Sequence, residues 1–137
     1  MENLFAYGTL MCEDIMQDVA GCRLSCVPAE LRGYSRRRVR GEHYPALVPD
    51  ERGFVRGVLY QDVPDSAWDR LDRFEGDMYE RRPVEVCLED GRIMSAATYV
   101  ARSAFLGCLD EADWDFDDFL RSGRAAFQRQ YKGYQAL

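Results

Sequence analysis

The run PVEVCLEDGRIMSAATYVA, Pro83 to Ala101, constrains the fold more than any other segment. Apolar and polar residues alternate on both sides of Asp90-Gly91, the pair that a two-residue hairpin turn favours. The run therefore reads as two antiparallel strands. An isolated hairpin is marginal in water, so these strands must belong to a larger sheet. Further strand material is available. Asn3–Tyr7 reads as a buried strand ending at Gly8. Residues 23–40, interrupted by Pro28 and Gly33, suit a bent or bulged strand. Residues 44–50 read as a short apolar strand bounded by prolines. Residues 53–63 form a separate alternating strand, in which Gly57 implies a close backbone approach.

Helices are fewer. Residues 11–20 form a short helix closed by Gly21. Residues 64–75 form a second, begun by Pro64 and capped by Asp65 or Ser66. A third spans Glu111–Tyr131, with Trp114, Phe116, Phe119, Leu120 and Phe127 as its apolar stripe. Its acidic residues come first and its arginines later, an order that suits the helix dipole. Gly123 weakens it and divides it in two. With no repeat or linker, residues 1–137 read as one mixed α+β domain. The expected architecture is a small closed or strongly curled β-barrel flanked by a few helices.

Composition narrows the function. The 18 basic and 24 acidic residues give a net charge of −6, which argues against nucleic acid or an anionic membrane as the main partner. The basic run Ser35–Arg40 reads as a strand edge or pocket rim. No apolar run approaches a membrane span, and the N-terminus lacks the pattern of a signal peptide. Five cysteines without framework spacing fit a reducing cytoplasm, which is the expected compartment. Cys22, Cys26 and His43 fall short of a zinc set, so small thiols and no metal are expected.

His43, the sole histidine, sits in the turn-like stretch RGEHYPA and makes no convincing Ser-His-Asp set, and no phosphate-binding loop is present. Two features remain. Tyr7-Gly8-Thr9-Leu10 joins a strand to a helix start, where backbone N–H groups lack partners and can hold an anion or a carbonyl oxygen. On the pattern alone, an ordinary strand-to-helix turn is the simpler reading of it. The second feature is Glu75. On the wheel of the 64–75 helix, Ala67, Trp68, Leu71 and Phe74 share one face, and Glu75 falls between Trp68 and Leu71. Burial there would raise its pKa and fit it for proton transfer. A glutamate that swings out to solvent, or pairs with Arg81 or Arg82, is the other reading. Tyr79 and Tyr99 are either core residues or walls of a pocket.

YGTL, YPALVP, VRGVLYQDV, LDRFEGDMYERRPVEV and AATYV occur in the order and spacing of the gamma-glutamylcyclotransferase-like family. The chain resembles its AIG2-like and gamma-glutamylamine cyclotransferase branch over residues 3–101. The resemblance implies a closed barrel with one cavity. It also implies intramolecular aminolysis of a γ-glutamyl amide, releasing 5-oxoproline and an amine or amino acid, without a cofactor. By the same resemblance Glu75 is catalytic. Tyr7, Gly8, Thr9, Leu10, Tyr79, Arg81 and Tyr99 bind the small-molecule γ-glutamyl substrate. A non-catalytic ligand-binding or regulatory module on the same barrel is the alternative. A hydrolase pairing Glu75 with Asp72 is a third reading.

Overall fold

The computed structural model describes residues 2–137. Five strands close a barrel in the order β1-β3-β2-β4-β5. They are β1 (Glu2–Ala6), β2 (Cys26–Arg38), β3 (Pro45–Val63), β4 (Tyr79–Leu88) and β5 (Ile93–Ala101). The β2–β3 and β4–β5 pairs are antiparallel, and β5 closes the barrel against β1 in parallel. The expected barrel and the hairpin at Asp90-Gly91 are both present. Gly91 has φ +89°, the left-handed conformation the turn needs.

Two expectations about the strands need revision. Residues 44–50 and 53–63 do not form separate strands but one continuous β3. β2 makes this continuity feasible. Its register shifts between Arg32 and Tyr34, around Gly33, where Phe54 lies opposite Arg32 and Pro49 opposite Tyr34, so the extra residues bulge from β3 and both its halves stay paired with β2. Gly57 does mark a close approach, since a Cβ there would meet the Ala6 carbonyl oxygen at 2.2 Å.

Side chains along β1 alternate between two packed clusters. Phe5 and Tyr7 join Leu31, Leu47, Val55, Leu59 and Val86, a cluster of strand and near-strand residues that fills the barrel. Leu4 and Ala6 join the larger cluster that also takes the apolar faces of the helices. Helix α1 (Glu13–Ala20) contributes Ile15, Met16 and Val19, and ends at Gly21 with φ +79°. Helix α2 (Asp65–Glu75) contributes Ala67, Trp68, Leu71 and Phe74, as its periodicity requires. Neither Asp65 nor Ser66 caps it; Pro64 holds the N-cap position without a side-chain bond.

The C-terminal helix differs from expectation. It begins at Phe116, not Glu111, with the Asp115 carboxylate accepting from the Asp118 N–H. Glu111, Asp113 and Trp114 precede it because tertiary bonds claim the last two. Asp113 pairs with Arg36, and the Trp114 indole N–H donates to the His43 carbonyl. Gly123 does not divide the helix. The chain passes through one π turn, Phe119–Gly123, and continues as α-helix through Arg124–Gln130. Leu120, assigned to the apolar stripe, is exposed. Among the described residues no helix is long and apolar enough to cross a membrane.

Candidate active site

Glu75 is the last residue of α2. The next residue, Gly76, takes φ +76° and ψ −163°, a conformation that L side chains rarely adopt. The glycine lets the chain leave the helix at once, so the Glu75 side chain stays on the apolar face. There it lines a small cavity of about 30 Å³ together with Tyr7, Gly8, Thr9, Leu10, Tyr79 and Tyr99. The structure thus brings together all but one of the residues expected at the site.

The exception is Arg81. Its guanidinium lies over the Trp68 ring, 4.7 Å from the centroid, and pairs with Asp72 at 3.5 Å. It therefore sits on the outer side of α2 and does not line the cavity with Glu75. The pairings considered for Glu75 are taken by other carboxylates: Arg81 holds Asp72 and Arg82 holds Glu80. Among the described residues Glu75 makes no ion pair. Burial, with the Asp72 charge as the second cause, pushes its carboxyl from 4.5 up to about 8. Half the Glu75 carboxyls therefore carry a proton near pH 8, and the group can accept or donate at neutral pH.

The wall opposite is built from the Tyr7–Leu10 loop. A short 3-10 turn, Thr9–Met11, follows Gly8, with the Met11 N–H donating to Gly8 O at 3.0 Å and the Cys12 N–H to Thr9 O at 3.1 Å. The N–H groups of Thr9 and Leu10 have no acceptor within that turn. Gly8 is required by space, because a Cβ there would lie 2.9 Å from the Pro45 ring. Arg36 holds the loop from outside. Its Nη1 donates to Tyr7 O at 2.9 Å while its Nε donates to Asp113 Oδ1 at 2.8 Å. The basic run thus places one of its arginines behind the site, whereas His43 is exposed, as its sequence setting suggested.

The tyrosines are fixed by their hydroxyls. Tyr7 donates to Tyr99 O at 2.7 Å, Tyr79 to Pro45 O at 2.7 Å, and Tyr99 to Asp72 Oδ1 at 2.7 Å. Burial raises the pKa of each, so all remain protonated around neutral pH. Tyr44, Phe127 and Tyr131 also line the cavity. Sequence reasoning missed these three as site residues, because aromatic residues that cover a cavity have the same pattern as those that fill a core.

A closed five-stranded barrel, with one inward carboxylate at a helix end facing a glycine-containing loop, defines the class to which this molecule belongs. Solved structures share its architecture. A solution structure of an Arabidopsis thaliana protein aligns with a TM-score of 0.71 and 30% identity, covering 96% of this chain and 88% of that one. A structure described as a gamma-glutamyl cyclotransferase aligns with a TM-score of 0.64 at 18% identity, over 74% of this chain and 66% of that one, a likeness of fold. AIG2-like protein A of Arabidopsis thaliana is 30% identical over 96% of this chain and 80% of its own length. The family model described as "Gamma-glutamyl cyclotransferase, AIG2-like" matches residues 4–116, and the chain belongs to that family.

Proposed function

We propose that this protein is a γ-glutamyl cyclotransferase with Glu75 as its general base and general acid. The observation that carries the reading is the Glu75 carboxyl: inward, without an ion pair among the described residues, pushed up to about 8, and in one cavity with the Tyr7–Leu10 loop. The substrate is a γ-glutamyl amide. Its α-ammonium enters beside the Glu75 carboxylate and gives up a proton to it. The freed amine nitrogen attacks the side-chain carbonyl carbon, forming the new C–N bond of a five-membered lactam. Glu75 returns the proton to the departing nitrogen as the old C–N bond breaks, then takes the second proton from the new ring nitrogen and passes it to the released amine. The products are 5-oxoproline and an amine released as its ammonium, and no proton is gained or lost overall.

Ring closure within one molecule requires chiefly orientation and proton transfer, which a single carboxyl can provide. The N–H groups of Thr9 and Leu10, which have no acceptor within their own turn, are suited to the negative charge that develops on the carbonyl oxygen. Gly8 keeps this loop close to Pro45, and Arg36 steadies its carbonyl side. The tyrosine hydroxyls are engaged elsewhere, so Tyr7, Tyr79 and Tyr99 shape the cavity without moving protons. Arg81 acts on Asp72 and Trp68, not on the reacting atoms. The amino-acid composition supports a cytoplasmic setting for this chemistry.

The test is a panel of γ-glutamyl amides and dipeptides assayed for 5-oxoproline, with wild type and Glu75→Gln. Release by wild type and loss in the variant are expected. Wild-type turnover in the variant would remove Glu75 from the mechanism. Tight binding without turnover across the panel would assign a binding module instead.

A further inference from the structure

We propose that Tyr131, together with Tyr44, forms the specificity-determining wall for the leaving amine, and that this wall favours amines carrying an aryl or extended apolar group. The inference rests on the cyclotransferase reading and deepens it.

Two spaces adjoin at Glu75. The inner cavity is backed by Leu4, Phe5 and Ala6 of β1, all buried, and holds the Tyr7–Leu10 loop. A second, larger space of about 500 Å³ lies outside it, with Arg73, Asp77 and Lys132 toward solvent. Tyr44, Phe74, Glu75, Tyr79 and Tyr131 line both spaces, so the Glu75 carboxyl stands at their junction. The amide bond that Glu75 serves must lie at that junction. The γ-glutamyl half then occupies the inner space beside the loop. Nothing longer fits beyond it, because β1 closes the back, so the leaving amine extends into the outer space.

The first surface it meets there is aromatic. The Tyr44 and Tyr131 rings touch edge to face, 5.1 Å between centroids, and Tyr131 stacks on Phe127 at 4.7 Å. Tyr131 is held rigidly. Its hydroxyl donates to the Glu75 backbone carbonyl at 3.2 Å. Two residues on, Gly133 packs so tightly that a Cβ would lie 2.1 Å from Phe74 O. A fixed, half-buried aromatic face gains most from an aryl or alkyl partner, by contact and by area removed from water. Tyr131 also lies beyond residues 4–116, so family membership does not assign it.

The experiment compares γ-glutamyl methylamide, whose leaving group ends at the junction, with γ-glutamyl benzylamide, whose ring reaches the wall. Tyr131→Ala should lower the benzyl-to-methyl ratio of kcat/KM by about 10-fold, mainly through KM, the size of one aromatic contact plus its buried area. Tyr131→Phe should keep the ratio within about 2-fold, because the wall needs the ring and not the hydroxyl. A ratio unchanged in Tyr131→Ala, with both substrates falling together or neither, would overturn the proposal and leave Tyr131 a structural residue. Calorimetric binding of both amides to Glu75→Gln, with and without Tyr131→Ala, separates this inference from the reaction. A Tyr131-dependent preference for the benzylamide without any wild-type turnover would uphold the wall and refute the cyclotransferase reading. Binding of neither amide would overturn the wall.

Discussion

Asp72 and Glu75 lie one turn apart on α2, yet the helix gives them opposite surroundings. Asp72 is exposed, accepts from the Tyr99 hydroxyl at 2.7 Å and pairs with Arg81 at 3.5 Å. Glu75 faces the cavity, with no ion pair among the described residues and a carboxyl raised to about 8. The two side chains differ by one methylene. The difference in chemistry comes from the helix face on which each is placed and from Gly76, which ends the helix before Glu75 can turn outward. One carboxylate is engaged by Arg81 and Tyr99, and the other is placed to carry a proton.

Mutation should break this contrast in graded steps. The largest effect belongs to Glu75→Gln in the 5-oxoproline assay: a loss on the order of 10²–10⁴-fold with an unchanged circular-dichroism spectrum. The same variant should alter stability in the opposite direction. Because the fold holds the Glu75 proton more tightly than the unfolded chain does, wild-type stability from this group is fully present below about pH 4.5 and is lost as pH rises through about 8. Glu75→Gln should therefore unfold about 4–5 kcal/mol less readily than wild type at pH 9 and about equally at pH 4, as urea titrations at the two pH values would show.

Gly8→Ala comes next. Its methyl must displace Pro45, and a cost of about 1–3 kcal/mol is expected, together with reduced turnover as the loop shifts. Asp72→Asn should have the smallest effect on rate, less than about 10-fold at the pH optimum. Its signature is a shift. Removing the Asp72 charge relieves one cause of the raised Glu75 pKa, so the acid limb of the kcat/KM profile should move to lower pH. The substrate ammonium acts in the same direction, so in wild type the acid limb of kcat should lie below that of kcat/KM.

Much of this contrast was legible in the sequence. The wheel position of Glu75 set a carboxylate among apolar residues but left open whether it faced inward or swung out to solvent, and Asp90-Gly91 marked the hairpin on which Tyr99 sits. The strand alternation and turn signals also carried the barrel. What escaped detection depended on contacts distant in sequence. Pro45–Val63 became one strand because both of its halves pair with β2, on either side of the irregularity at Gly33. The acidic run from Glu111 matched a helix start, but Arg36 and the His43 carbonyl draw Asp113 and Trp114 out of it. Arg81 matched the family pattern two residues after Tyr79, and strand alternation alone could not reveal that Asp72 and Trp68 would hold it on the outer face. Tyr44, Phe127 and Tyr131 gave no signal at all, since a cavity wall and a core share one residue pattern.

The central claim is that the fold keeps the Glu75 carboxyl protonated well into the neutral range. It is tested most directly by following the glutamate carboxyl carbons by NMR across a pH titration of the free protein, with Glu75→Gln to identify the resonance. The account predicts a midpoint near 8 for Glu75. A midpoint near 4.5, that of an ordinary exposed glutamate, would contradict it.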